Sequence, residues 1–172
     1  MKNPKIYETE RLFLSPTTVD DAAFVLELLN SPKWIQNIGD RKVRSLEEAE
    51  AYISTKMLPQ LEALGFSNYT LIRKTDGAKI GSSGLYSREG IEGVDIGFAL
   101  LPGFERQGYS FEAANKLMEL AKGPFQLSKV SGITLQTNKA SQGLLEKLGL
   151  KFSKLIRLPD DPEELMLYEC FL

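Results

Sequence analysis

Moving a proton near neutral pH usually calls for an imidazole, and this chain of 172 residues has no histidine. Ser–His–Asp and Cys–His machinery are excluded, and with them the commonest zinc ligand. Acid–base work must fall to carboxylates, hydroxyls, backbone groups or water. The one cysteine, Cys170, sits in the strand-like MLYECFL and reads as a packed residue rather than a nucleophile. The candidate carboxylates are Asp95 and Glu92, beside a stretch in which Val94, Ile96, Phe98 and Leu100 alternate with Asp95, Gly97 and Ala99. One face of that strand is apolar and needs a core; the other is small and ends in a carboxylate, which leaves room for something other than protein. The loop PGFERQGYS follows, with Gly108 near its end and Ser110 as a candidate N-cap. A glycine-containing loop before a helix lets an anion approach backbone N–H groups that lack partners and lie at the positive end of the helix dipole. Further on, Asn138 stands where it could cap a short helix or donate an amide hydrogen bond to a ligand, and Ser141 lies three residues later.

The elements that must position these groups follow from periodicity. After the strand and loop, Phe111, Ala114, Met118 and Ala121 recur at helical spacing, and Leu117 and Leu120 widen the stripe. On the later helix, Ala140, Leu144 and Leu148 form the expected apolar stripe, with Ser141 and Leu145 one above the other on an adjoining face. Earlier in the chain, ERLFLSP predicts a strand, and Thr18 to Asp21 a capping box starting a helix with Ala22, Val25, Leu26 and Leu29 inward. That helix should stop near Asn30-Ser31-Pro32, leaving SPKWIQNIGDRKVR as a loop. Ser45 to Glu48 is a second capping box; Pro59 should kink or break its helix, and Gly65 should end it. Strands around 68–73 and 79–86 are joined by Thr75-Asp76-Gly77, a hairpin signal. Strands are also predicted over 130–137, 151–158 and 165–171. Hairpins in the first half and strand–helix–strand units in the second predict an α/β fold with a mixed sheet and helices on both faces.

Bulk properties narrow the function. The length fits a single domain spanning 1–172, and the apolar fraction of 42% and charged fraction of 26% are those of a soluble globular protein. A net charge of −2 offers no basic footprint for nucleic acid. No apolar run approaches membrane-spanning length, and MKNPKIYETE carries no signal-peptide pattern. A lone cysteine fits a reducing, cytoplasmic setting.

The blocks DIGFALLPGFERQGYSFEA and TNKASQGLLEKLGLKF together resemble the acetyl-CoA-binding core of the GCN5-related N-acetyltransferases (GNAT). The opening ETERLFLSPTTVDDA resembles the subgroup that includes the ribosomal-protein N-terminal acetyltransferases. The resemblance covers nearly the whole chain, in order. It implies a mostly antiparallel, splayed sheet flanked by helices, with acetyl-CoA as co-substrate, no metal, an amine acceptor, and homodimer formation left open. It places the CoA pyrophosphate on backbone N–H groups at Arg106, Gln107, Gly108, Tyr109 and Ser110. The pantetheine arm would pair with Phe98, Ala99 and Leu100, Asn138 would touch its far end, and Ser141 would serve the departing thiolate. Asp95, then Glu92, would accept the proton of the attacking amine, and an N–H near Phe98 or Ala99 would hold the oxyanion.

Three positions depart from the family pattern. Glu105 stands where Arg or Gln is usual, and is expected to point outward with Arg106 offsetting it. Ser110 replaces Gly or Ala, and Leu145 stands where many members carry a tyrosine acid. A catalytically silent acyl-CoA-binding module is the alternative these departures favour. A P-loop nucleotide binder is disfavoured by the absence of a GxxxxGK[ST] run.

Overall fold

Residues 4–172 are described by a computed structural model, and its elements follow the apolar periodicities closely. The strands are β1 (Tyr7–Glu8), β2 (Leu12–Pro16), β3 (Asn68–Arg73), β4 (Lys79–Tyr86), β5 (Val94–Leu100), β6 (Lys129–Leu135), β7 (Lys151–Ile156) and β8 (Leu165–Phe171). The helices are α1 (Ala22–Leu29), α2 (Pro32–Asn37), α3 (Leu46–Lys56), α4 (Leu58–Leu64), α5 (Tyr109–Lys122) and α6 (Lys139–Lys147). One sheet runs β1-β2-β3-β4-β5-β6-β8-β7, and β5–β6 is its only parallel pair among the described residues. A mostly antiparallel mixed sheet with helices on both faces is the expected architecture, with the two-residue β1 as an added edge strand.

The sheet separates two apolar cores. On one face α5 and α6 pack through Leu117, Ala114 and Leu145 against Leu71, Ile80, Ile96 and Val130. On the other, α1 and α3 form a second core through Val25, Leu29, Ala49 and Ile53, closed by Leu101. Burying a leucine such as Leu117 fully contributes about 1.5–3 kcal/mol. Because side chains alternate, β5 turns Ile96, Phe98 and Leu100 toward the first core and Ala99 toward the second.

Local signals largely act as read. Thr18 and Asp21 form a reciprocal capping box, in which the Thr18 N–H donates to Asp21 Oδ2 at 3.0 Å, although the turn they cap is a short 3₁₀ segment leading into α1. Ser45 Oγ accepts the Glu48 N–H at 3.1 Å, but the Glu48 carboxylate turns to the Arg44 N–H rather than back to Ser45. Gly65 ends α4 at φ +86°, and Gly77 takes φ +73° in the β3–β4 turn, where Arg73 holds the Asp76 carboxyl down at about 2.

Two expectations need correcting. The segment after Asn30 is not all loop: Pro32 opens α2 and carries Trp34 onto the second core. The stop signal Asn-Ser-Pro is equally a start signal, because proline is suited to the first helical position. On α6, Ala140 is exposed and Leu144 and Leu148 are half-buried; Gln142 and Leu145 face inward. Leu145 is drawn in because Gly132, on β6 beneath it, has no side chain: a Cβ there would lie 2.6 Å from Leu145 Cδ2.

Gly81 sets how closely β4 approaches β5. A Cβ at this position would lie 2.3 Å from the Ala99 carbonyl oxygen, which is backbone and cannot swing aside. Gly81→Ala is expected to cost about 1–3 kcal/mol, read as a lower denaturant midpoint. An unchanged midpoint would contradict this packing account.

Candidate active site

The site begins where two strands part. β5 and β6 pair only at Val94↔Val130 and Asp95↔Ser131, whereas β4 follows β5 from Leu100 back to Asp95. Beyond Asp95 the β6 side of β5 is therefore an open edge. Its free groups can be assigned by alternation. The Leu101 N–H bonds the Ile80 carbonyl at 2.8 Å, so Ala99 and Gly97 also direct their backbone groups to β4. Phe98 and Leu100 then direct theirs into the gap. Of the three strand residues expected to meet a pantetheine arm, two offer backbone hydrogen bonds there, and Ala99 offers only its small side chain.

At the C-terminal end of β5 the chain enters the loop 101–108. Leu101 is buried in the second core and Phe104 touches both cores, which anchors the loop at its start. Gln107 Nε2 donates to the Gly103 carbonyl at 3.0 Å and folds the loop on itself. Arg106 (φ +59°) and Gly108 (φ +83°) are both left-handed, so they flank Gln107 and turn successive N–H groups to one side. That is a backbone anion nest running into the first turn of α5. Gly108, not Ser110, is the N-cap; Ser110 lies inside the first turn. Tyr109 is 6% exposed and belongs to the first core, so it can offer a ligand its N–H but not its ring. Glu105 is paired with Lys33 of α2, which rather than Arg106 offsets its charge.

At the end of β6, Asn138 caps α6: its Oδ1 accepts the Ser141 N–H at 3.2 Å, which leaves the Nδ2 donor free to turn outward. Ser141 is half-buried on the first turn of α6. Leu145, one turn on, is 1% exposed inside the first core, so the position of the family tyrosine is occupied by packing rather than chemistry.

On the opposite face of the sheet the small side of β5 is not empty, as the sequence suggested. Tyr86 folds across it, with its ring where a side chain on Gly97 would otherwise stand, 2.8 Å from that Cβ position. Its hydroxyl donates to Asn68 Oδ1; Asn68 Nδ2 donates to Thr17 Oγ1 at 2.8 Å, and Thr17 and Thr70 share a further bond. Asp95 lies beside this row with a side chain only 2% exposed, and Arg88 Nε donates to its Oδ1 at 2.6 Å. Burial raises the Asp95 pKa above its ordinary value, and the Arg88 charge and hydrogen bond oppose the rise without cancelling it. Glu92 is exposed on the 87–93 loop, where it lines a groove of about 310 Å³ with Lys129, Ser131 and Glu169. A Cβ on Gly90 would lie 2.7 Å from Pro159, so this loop rests on the acidic turn between β7 and β8.

Sequence reasoning passed over Tyr86, Arg88, Lys33 and Arg11. Only Tyr86 carried a usable signal, as the aromatic opposite a strand bearing glycine at position 97.

The arrangement matches known proteins over its length. Residues 11–151 match the acetyltransferase (GNAT) domain family. The chain is 25% identical over 153 residues to the uncharacterized N-acetyltransferase YoaA of Bacillus subtilis, covering 88% of this chain and 86% of that one. Its fold is similar to that of an acetyltransferase from Agrobacterium tumefaciens (TM-score 0.84, 22% identity, 100% and 97% of the two chains). It is also similar to that of RimL, the ribosomal L7/L12 α-N-protein acetyltransferase in complex with coenzyme A (TM-score 0.83, 17% identity, 98% of each chain). With the family match spanning most of the chain, this protein belongs to the GNAT acetyltransferases and is an acetyl-CoA-dependent acetyltransferase.

Proposed function

We propose that the chain transfers the acetyl group of acetyl-CoA to a primary amine, at a protein N-terminus or on a small molecule, by direct attack in a ternary complex. The observation that carries this reading is the open edge of β5 running into an anion nest. It offers strand-like pairing for an amide-rich arm and, one loop away, N–H groups for its phosphates. The N–H groups from Arg106 to Ser110 would hold the pyrophosphate, and Phe98, Leu100 and the Asn138 amide the pantetheine arm. The acceptor would enter on the Tyr86–Asp95 face.

The residues then have distinct tasks. An ammonium group has no lone pair, so Asp95 takes its proton, through water because the carboxylate is buried; Glu92 is the second candidate. The amine nitrogen forms a bond to the thioester carbon while the Phe98 N–H holds the oxygen's developing charge. The carbon–sulfur bond breaks, the Ser141 hydroxyl gives its proton to the thiolate, and the second proton of the newly acylated nitrogen passes through water to restore Ser141, leaving a neutral amide. With a modest acid and base, most of the acceleration comes from holding both substrates in place.

Two measurements test this. Free thiol should be released from acetyl-CoA when a pool of primary amines and short peptides is added; no release with any amine would defeat the reading. Ser141→Ala should lower kcat about 10- to 100-fold with acetyl-CoA affinity unchanged, and an unaltered kcat would remove Ser141 from its role.

A further inference from the structure

The anion nest at Gly108 has a neighbour that the loop sequence does not supply. Arg11, in the turn between β1 and β2, reaches across so that its Nη2 lies 3.3 Å from where a Cβ on Gly108 would stand. Its position is built. The guanidinium carbon sits 4.2 Å over the Tyr109 ring, and Nε donates to Glu112 Oε1 at 2.7 Å. The other oxygen of Glu112 accepts from the Arg11 N–H at 3.0 Å and the Thr9 hydroxyl at 2.6 Å. Burial pushes the Glu112 carboxyl up, but these bonds together outweigh it and hold its pKa below the ordinary value. An ionised glutamate in the first turn would repel a phosphate at the same helix end; Arg11 neutralises it. Nε is the guanidinium nitrogen turned to Glu112, and Nη2 is the one beside Gly108. The space is open on this side. A groove of about 410 Å³ begins at Gly108 and Arg11 and runs along α5 past Asn115. Its carboxylates are matched: Glu8 by Lys74, Glu112 by Arg11, Glu119 by Lys116.

We propose that Arg11 is a cofactor-binding residue, the cation that meets the phosphates of coenzyme A held at Gly108, and that Glu112 and Tyr109 position it for that task. The inference rests on the reading of the 106–110 loop as the phosphate site. A guanidinium held from behind, with a nitrogen at the nest, matches a phosphate's geometry better than a free lysine would.

The test is calorimetric titration with coenzyme A at two ionic strengths, on the wild type, Arg11→Gln, Arg11→Lys, Glu112→Gln and Gly108→Val. Arg11→Gln should weaken binding about tenfold and make it less sensitive to salt. Arg11→Lys, which keeps the charge but loses the anchored fork, should recover the salt dependence and only part of the affinity. Glu112→Gln keeps an oxygen to accept from Arg11 Nε and so keeps the guanidinium in position, but removes the negative charge that competes with phosphate; binding should be equal or tighter, while the melting temperature falls. A merely structural clamp would make Arg11→Gln and Glu112→Gln weaken binding alike without changing its salt dependence, and that result overturns the proposal. So does wild-type affinity in Arg11→Gln while Gly108→Val binds nothing. If Gly108→Val also binds normally, the phosphate-loop reading itself is at fault.

Discussion

Gly108→Val is expected to weaken acetyl-CoA binding at least about 100-fold while the protein remains folded. Gly108 sits at φ +83° at the head of α5, and its lack of a side chain is what leaves the N–H groups of the nest uncovered. A branched residue in left-handed conformation costs about 1–2 kcal/mol in backbone strain alone. Its nearest neighbour is the Arg11 guanidinium, a flexible group that can move, so the fold survives. On the proposed reading the ligand has no such freedom, because the methyl groups would stand where its phosphate approaches. Relief of strain by reshaping the turn would also lose the aligned N–H groups, so either response removes the site. Normal affinity in a folded Gly108→Val protein would show that the pyrophosphate lies elsewhere.

Asp95→Asn should lower kcat about 100-fold and flatten the acidic limb of its pH profile, the size expected for losing a positioned base. A second signature concerns stability, and its sign is fixed. Burial raises the pKa of Asp95 in the folded state above the ordinary 3.8, with Arg88 opposing. As pH rises above 3.8 the unfolded chain gives up this proton first, so the folded state binds more protons and stability falls with pH until the folded pKa is passed. The contribution present at low pH is thus lost as the buried group ionises. Asparagine cannot ionise, so the stability of the wild type relative to Asp95→Asn should decline as pH rises from about 3.8. Denaturant unfolding of both proteins over a pH series measures this. A difference that does not change with pH would mean that Asp95 titrates normally, and an unaltered kcat profile would move the base to Glu92 or water.

Much of this could be read from the chain. The alternation in β5, the stripe of α5, the glycine turns and the capping residues act over a few residues, and short-range physics determines them. The splayed β5–β6 pair was implied by resemblance, but its register was not legible. Which of Phe98, Ala99 and Leu100 turns its N–H to the gap depends on how β4 pairs, a fact held in Ile80 and Leu101 rather than in β5. Tyr86 escaped for the same reason: the vacancy above Gly97 was visible, and the ring that fills it comes from the neighbouring strand. Glu105 was visible as an anomaly, whereas its partner Lys33 lies 72 residues away on a helix that the Asn-Ser-Pro stop signal concealed. Arg11 and Glu112, 101 residues apart, are a contact that only folding creates.

The most direct test of the account is amide hydrogen exchange along β5, with and without acetyl-CoA. Without it, Gly97 and Ala99 should already be protected by β4, whereas Phe98 and Leu100 should exchange quickly from the open edge. On adding acetyl-CoA, Phe98 and Leu100 should become protected and Gly97 and Ala99 should hardly change. Protection that leaves Phe98 and Leu100 untouched would contradict the claim that the cofactor's arm completes the sheet between β5 and β6.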